Sequence, residues 1–123
     1  IAFGFINLGF LLMALTPFLK LNALVVLHAF SVGGIGLIIL SMIARVSLGH
    51  TGRNVQKPPK TVPIALFILI AGTVFRVIVP LLTDSYYLMW VAISQLLWIA
   101  AFLLYLIAYF AMLIQPRVDG KFG

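Results

Sequence analysis

Very few side chains in this sequence can do chemistry, and most of them lie inside apolar runs. They are His28, Ser31, Thr73, Arg76 and Gln95 within those runs, and Arg45, His50 and Arg53 beside one of them. An imidazole suits a metal ion or a buried hydrogen bond. An arginine at membrane depth holds an anion or snorkels to the headgroups, here toward Asp84 two turns away. Serine, threonine and glutamine bond between helices. In Arg45-Val46-Ser47-Leu48-Gly49-His50-Thr51-Gly52-Arg53, two glycines permit tight turns and three cationic or imidazole groups supply donors. That pattern fits an anion or headgroup contact, or simply the basic end of a loop. With no cysteine in the chain, disulfides, thiolate metal sites and thiol nucleophiles are excluded.

The elements that position these groups follow from composition. Of 123 residues, 64% are hydrophobic and 8% charged, whereas soluble domains run near ~45–50% and ~25%. Ten charges cannot cover a water-facing surface, so a soluble globular domain is excluded, as is a disordered chain. Four runs approach the ~20 apolar residues a membrane helix needs: 1–19, 22–45, 61–82 and 86–114. Thr16-Pro17, Gly49–Gly52, Pro58-Pro59 with Pro63, and Pro116 punctuate them. Two short connections make the fold an all-α polytopic membrane protein, a single membrane domain of two antiparallel hairpins. The net charge of +6 does not signal a nucleic-acid partner, because the basic residues stand at the ends of apolar runs. The partner is the lipid bilayer.

Charge asymmetry orients the bundle. Arg45, Arg53, Lys57 and Lys60 flank the middle loop 46–60, Arg117 and Lys121 lie in the tail, and Lys20 stands alone opposite them. The positive-inside rule then predicts a cytoplasmic loop and cytoplasmic termini. The first span is apolar from Ile1 with no charged leader, which reads as the C-terminal part of a longer polytopic chain rather than a signal peptide. Missing upstream helices or other membrane subunits are then expected partners.

Counting down from the outer ends places His28 about 9 Å deep, Arg76 about 10 Å and Gln95 about 13 Å. Three polar groups from three helices share one layer of the outer leaflet. At 100° per residue His28, Ser31, Ile35, Met42 and Arg45 share a face of the second helix, and Gly72, Thr73, Arg76, Pro80 and Thr83 a face of the third. On the fourth, Ser94, Trp98, Tyr105 and Met112 align, with Gln95 at the edge. The layer reads as a buried network or a pocket rim. His50 is 22 residues beyond His28, about 33 Å along a helix, so the two cannot ligate one haem. No carboxylate lies in a span, which argues against a proton-coupled small multidrug transporter.

His28-Ala29-Phe30-Ser31-Val32-Gly33-Gly34-Ile35-Gly36 followed by Ser47-Leu48-Gly49-His50-Thr51-Gly52-Arg53 resembles the C-terminal region of the NnrS family, as does the ending Pro116–Gly123. Phe122 departs from an expected proline. The resemblance implies a multi-pass protein of the bacterial inner membrane that carries haem and copper and acts in the response to nitric oxide and protection from nitrosative stress. It makes His28 and His50 the candidate metal ligands. Arg76 would meet a haem propionate or another buried anion, and Arg45 and Arg53 would join His50 in a second site. The alternatives are a cofactor-free accessory subunit of a respiratory complex, packed through Gly33–Gly36, and a small transporter.

Overall fold

The computed structural model describes residues 1–83 and 85–120. Asp84 and Lys121, which entered the snorkelling and charge arguments above, and Phe122 and Gly123, which entered the resemblance, lie outside the described residues. Among those described, all regular structure is helical: α1 Ala2–Leu19, α2 Ala23–His50, α3 Thr61–Leu82 and α4 Tyr87–Ile114. All four are long and apolar enough to cross a membrane.

Thr16-Pro17 does not close the first span: Pro17 lies inside α1, which runs on to Leu19. Lys20 ends α1 in the left-handed region at φ 49°, and Asn22 caps α2 by accepting the Leu24 N–H at 2.9 Å. Tyr86, at φ 60°, precedes α4, and the Trp90 indole donates back to the Ser85 carbonyl. The Val118 N–H donates to the Thr51 carbonyl at 3.3 Å, so the tail lies on the α2–α3 loop at the opposite end from both hairpin turns.

One boundary differs from expectation. α2 continues past Arg45 to His50, leaving only residues 51–60 as loop. Its extra turn packs Leu48 beside Tyr109 and bonds the Ser47 hydroxyl to the Tyr105 hydroxyl at 2.8 Å. Those contacts hold the turn although Gly49 and charge mark it as a helix end. Thr51 then closes it, its hydroxyl donating to the Ser47 carbonyl at 2.8 Å.

Packing rests on small residues, as between lipid-embedded helices it must, since lipid is as apolar as leucine. A Cβ at Gly33 would sit 2.7 Å from Phe5 Cγ on α1 and 2.7 Å from Thr73 Cγ2 on α3. One at Gly34 would sit 2.6 Å from Ile6 Cγ1. The stripe Gly33–Gly36 is thus filled largely from within the chain, and is not a free face for another subunit. Along the bundle, buried apolar clusters gather around Val26 and Val77, then Leu40 and Leu69, then Leu48 and Val62.

Two π-helical stretches interrupt the ladders. Ala29–Gly36 lies within α2 and Val74–Ile78 within α3. The second has a visible cause: Pro80 lacks the N–H that would bond the Arg76 carbonyl four residues back, and its ring crowds that carbonyl. The first contains Gly33, Gly34 and Gly36, whose backbone is the least constrained. π turns are rare and concentrate at functional positions.

Candidate functional site

His28 stands at the start of one π stretch and Arg76 inside the other, and the two side chains meet. Arg76 Nη2 donates to His28 Nε2 at 3.1 Å, and Nη1 donates to the Val91 carbonyl of α4 at 3.2 Å. One guanidinium therefore ties α2, α3 and α4 together. Arginine only donates, so His28 Nε2 is the acceptor and its proton sits on Nδ1. His28 Nδ1 and Arg76 Nε are both enclosed without a partner among the described residues. Each such donor costs about 1–3 kcal/mol. The pair has donors to spare and is short of acceptors.

Beside it opens a pocket of about 390 Å³ lined by Val32, Arg76, Ser94, Gln95, Trp98 and Ile99. Trp98 stacks on Phe102 with ring centroids 4.3 Å apart, which fixes that wall. Gln95 is exposed at the pocket and bonds no described residue, so it does not glue two helices here.

The other residues singled out from the sequence are placed elsewhere. Ser31 is exposed and its hydroxyl donates to its own helix at Leu27 O, 2.8 Å. Thr73 is fully buried and donates to Leu69 O at 2.9 Å, with its methyl against the Gly33 backbone. Ser31, Thr73 and Gln95 are thus not joined by hydrogen bonds. Ile35, Met42 and Arg45 are exposed as well. The face projected at 100° per residue is kept, with all four of these residues exposed along it, but below His28 it points away from the bundle interior.

His50 is exposed on the last turn of α2, at the opposite end of that helix from His28. Arg53 is half-buried with Nη1 enclosed and without a partner among the described residues. Gly52, at φ 73°, has room for no side chain: a Cβ would lie 2.8 Å from Asp119 Cγ. Asp119 is held in turn by two bonds from Arg117, at 2.9 and 2.7 Å, which keep the Arg117 guanidinium above its ordinary pKa. The Gly52 turn of the motif thus seats the tail as well as shaping the loop. Sequence gave no sign of this seat, nor of the Ser47–Tyr105 bond, because each joins residues far apart in the chain.

The donor set can be tested against a metal. Among the described residues no three His, Cys, Asp or Glu side chains gather to hold an ion. A metal on His28 Nε2 would have to displace Arg76. A metal on Nδ1 would need the proton on Nε2, where it would face the Arg76 N–H head-on. While Arg76 holds His28, neither nitrogen is open to a metal, and these residues do not by themselves make a haem or copper centre. A hydrogen-bond acceptor, by contrast, fits.

A chain whose described residues form four membrane-length helices, with a polar pair between three of them beside a cavity, is a multi-pass membrane protein. The family model described as NnrS protein matches residues 1–117, and the chain belongs to that family. No match was found among curated proteins or among solved structures.

Proposed function

We propose that the protein is a haem- and copper-associated protein of the bacterial inner membrane that acts in the response to nitric oxide. In this reading the four-helix region contributes an intramembrane donor pocket built on Arg76. The observation that carries the pocket is the Arg76–His28 pair, with its surplus donors at two π turns, beside a cavity of about 390 Å³. Family membership supports the cofactors. His50 is the imidazole that stands free for a metal completed by ligands from other segments, with Arg45 and Arg53 as anion partners beside it. His28 becomes available only if Arg76 leaves it for another acceptor, such as a haem propionate. The accessory-subunit alternative loses its main support, because Phe5 and Ile6 already occupy the glycine stripe.

Metal analysis and an optical spectrum of the full-length protein test this. A Soret band and bound copper are expected, with metal content lowered in His50→Ala and near wild type in His28→Ala. No Soret band and no copper would sink the cofactor reading. Metal loss in His28→Ala instead would show that Arg76 leaves the ring when the cofactor binds.

Orientation is tested separately. The basic loop and tail share one end of the bundle, and the positive-inside rule puts that end in the cytoplasm. A cysteine placed at Asn54 should resist an impermeant thiol reagent added outside intact cells. Labelling there would reverse the orientation.

A further inference from the structure

The Arg76 pocket is deep within the bilayer as well as polar. Gln95 lies about 12 Å along α4 from its outer start, and Ile99 about 18 Å. With a hydrocarbon core of ~30 Å, the mouth opens at lipid-tail depth. Ile99 is 55% exposed and Trp98 41% exposed, so this side of the pocket opens on the outer face of the four described helices. A ligand that reaches a mouth at that depth crosses an apolar medium, which disfavours a free inorganic anion and favours a lipophile.

The lining sets its chemistry. Arg76 spends one N–H of each terminal nitrogen on His28 and Val91, and each keeps a second. Gln95 and Ser94 add neutral donors, while no carboxylate or histidine lines the cavity among the described residues. The ligand must therefore bring an acceptor. A carboxylate would lose far more hydration free energy in an apolar medium than a neutral carbonyl would. The indole of Trp98, backed by Phe102, with Val32 and Ile99, suits a flat ring rather than a bulky one. A volume of about 390 Å³ is enough for the ring, with an aliphatic tail left in the lipid.

We propose that this pocket binds a membrane quinone, one ring carbonyl accepting from Arg76 and Gln95 and the ring lying against Trp98. The inference rests on reading the Arg76 cavity as the region's ligand site, and not on its metal content.

The test uses the full-length protein in phosphatidylcholine nanodiscs, titrated with decylubiquinone while tryptophan emission is followed. Quinone quenching is expected to saturate, and the saturating component to vanish in Trp98→Phe. Gln95→Leu should bind about ten-fold more weakly with an unchanged melting temperature, since Gln95 bonds no described residue. Arg76→Lys should weaken binding further. Quenching that rises linearly, or saturates equally in Gln95→Leu and wild type, would overturn the proposal. So would saturation by lauric acid with none by the quinone, which would mark a carboxylate site. Soret absorbance recorded on the same samples separates the two readings. A preparation without haem that still binds quinone defeats the cofactor assignment alone, and one with haem that binds none defeats this inference alone.

Discussion

Replacing Gly33 by alanine destabilises the bundle by about 2 kcal/mol, while Gly36→Ala, three residues on, costs less than about 1 kcal/mol. The difference lies in what the new methyl meets. At Gly33 it would fall 2.7 Å from Phe5 Cγ, 2.8 Å from Phe5 Cβ and 2.7 Å from Thr73 Cγ2. Phe5 Cβ is fixed to the α1 backbone, and Thr73 is wholly buried, so neither neighbour can swing aside. Relief requires α1 and α3 to move away from α2, which opens contacts along both helices. At Gly36 the nearest atom is the Ser31 carbonyl at 3.4 Å, an ordinary contact. Alanine's better helix propensity offsets part of either cost, by at most about 1 kcal/mol. Unfolding of the two variants in mild detergent, followed by circular dichroism, checks the order. Equal midpoints would show that the α1–α2 approach is looser than the glycine contacts indicate.

That close approach was only half legible in the sequence. Gly33-Gly34-Ile35-Gly36 announces that something packs tightly, since small residues mark membrane interfaces. It does not say whether the neighbour is Phe5 and Ile6 of the same chain or another subunit. The spans themselves were plain, because twenty apolar residues with charged ends have few other solutions. Depth was legible too: counting residues brought His28 and Arg76 to one layer, and they meet there. Which way a face points was not. Ser31, Ile35, Met42 and Arg45 do share one face of α2, but it is an exposed one, and periodicity alone does not tell an interior face from an outer one. For the π turn of α3 a signal did exist. Pro80 sits four residues after Arg76 and leaves the Arg76 carbonyl without its usual donor. The end of α2 was hidden for another reason. Ser47 and Leu48 are held in helix by Tyr105 and Tyr109, about sixty residues away in sequence, and no local pattern encodes that contact.

The Arg76–His28 pair makes the sharpest energetic prediction, because its members are expected to be costly to lose singly and cheap to lose together. Arg76→Leu leaves His28 Nε2 without its donor and removes the bond to Val91 O, a loss of about 3 kcal/mol. His28→Leu leaves a half-buried guanidinium one acceptor short, in a site that already has an unpartnered Nε, at about 2 kcal/mol. The double variant Arg76→Leu with His28→Leu replaces charge, donors and acceptor by apolar groups in an apolar layer, and no buried group of the pair remains to be satisfied. It should be less destabilised than Arg76→Leu alone, with a coupling of about 1–3 kcal/mol between the two sites. Unfolding free energies of the four proteins in bicelles measure that coupling directly. Additivity within about 0.5 kcal/mol would mean that the two side chains do not interact in the folded bundle. A layer that gains stability when its polar pair is removed would hold that pair for a ligand rather than for the fold, because packing alone is better served by leucine.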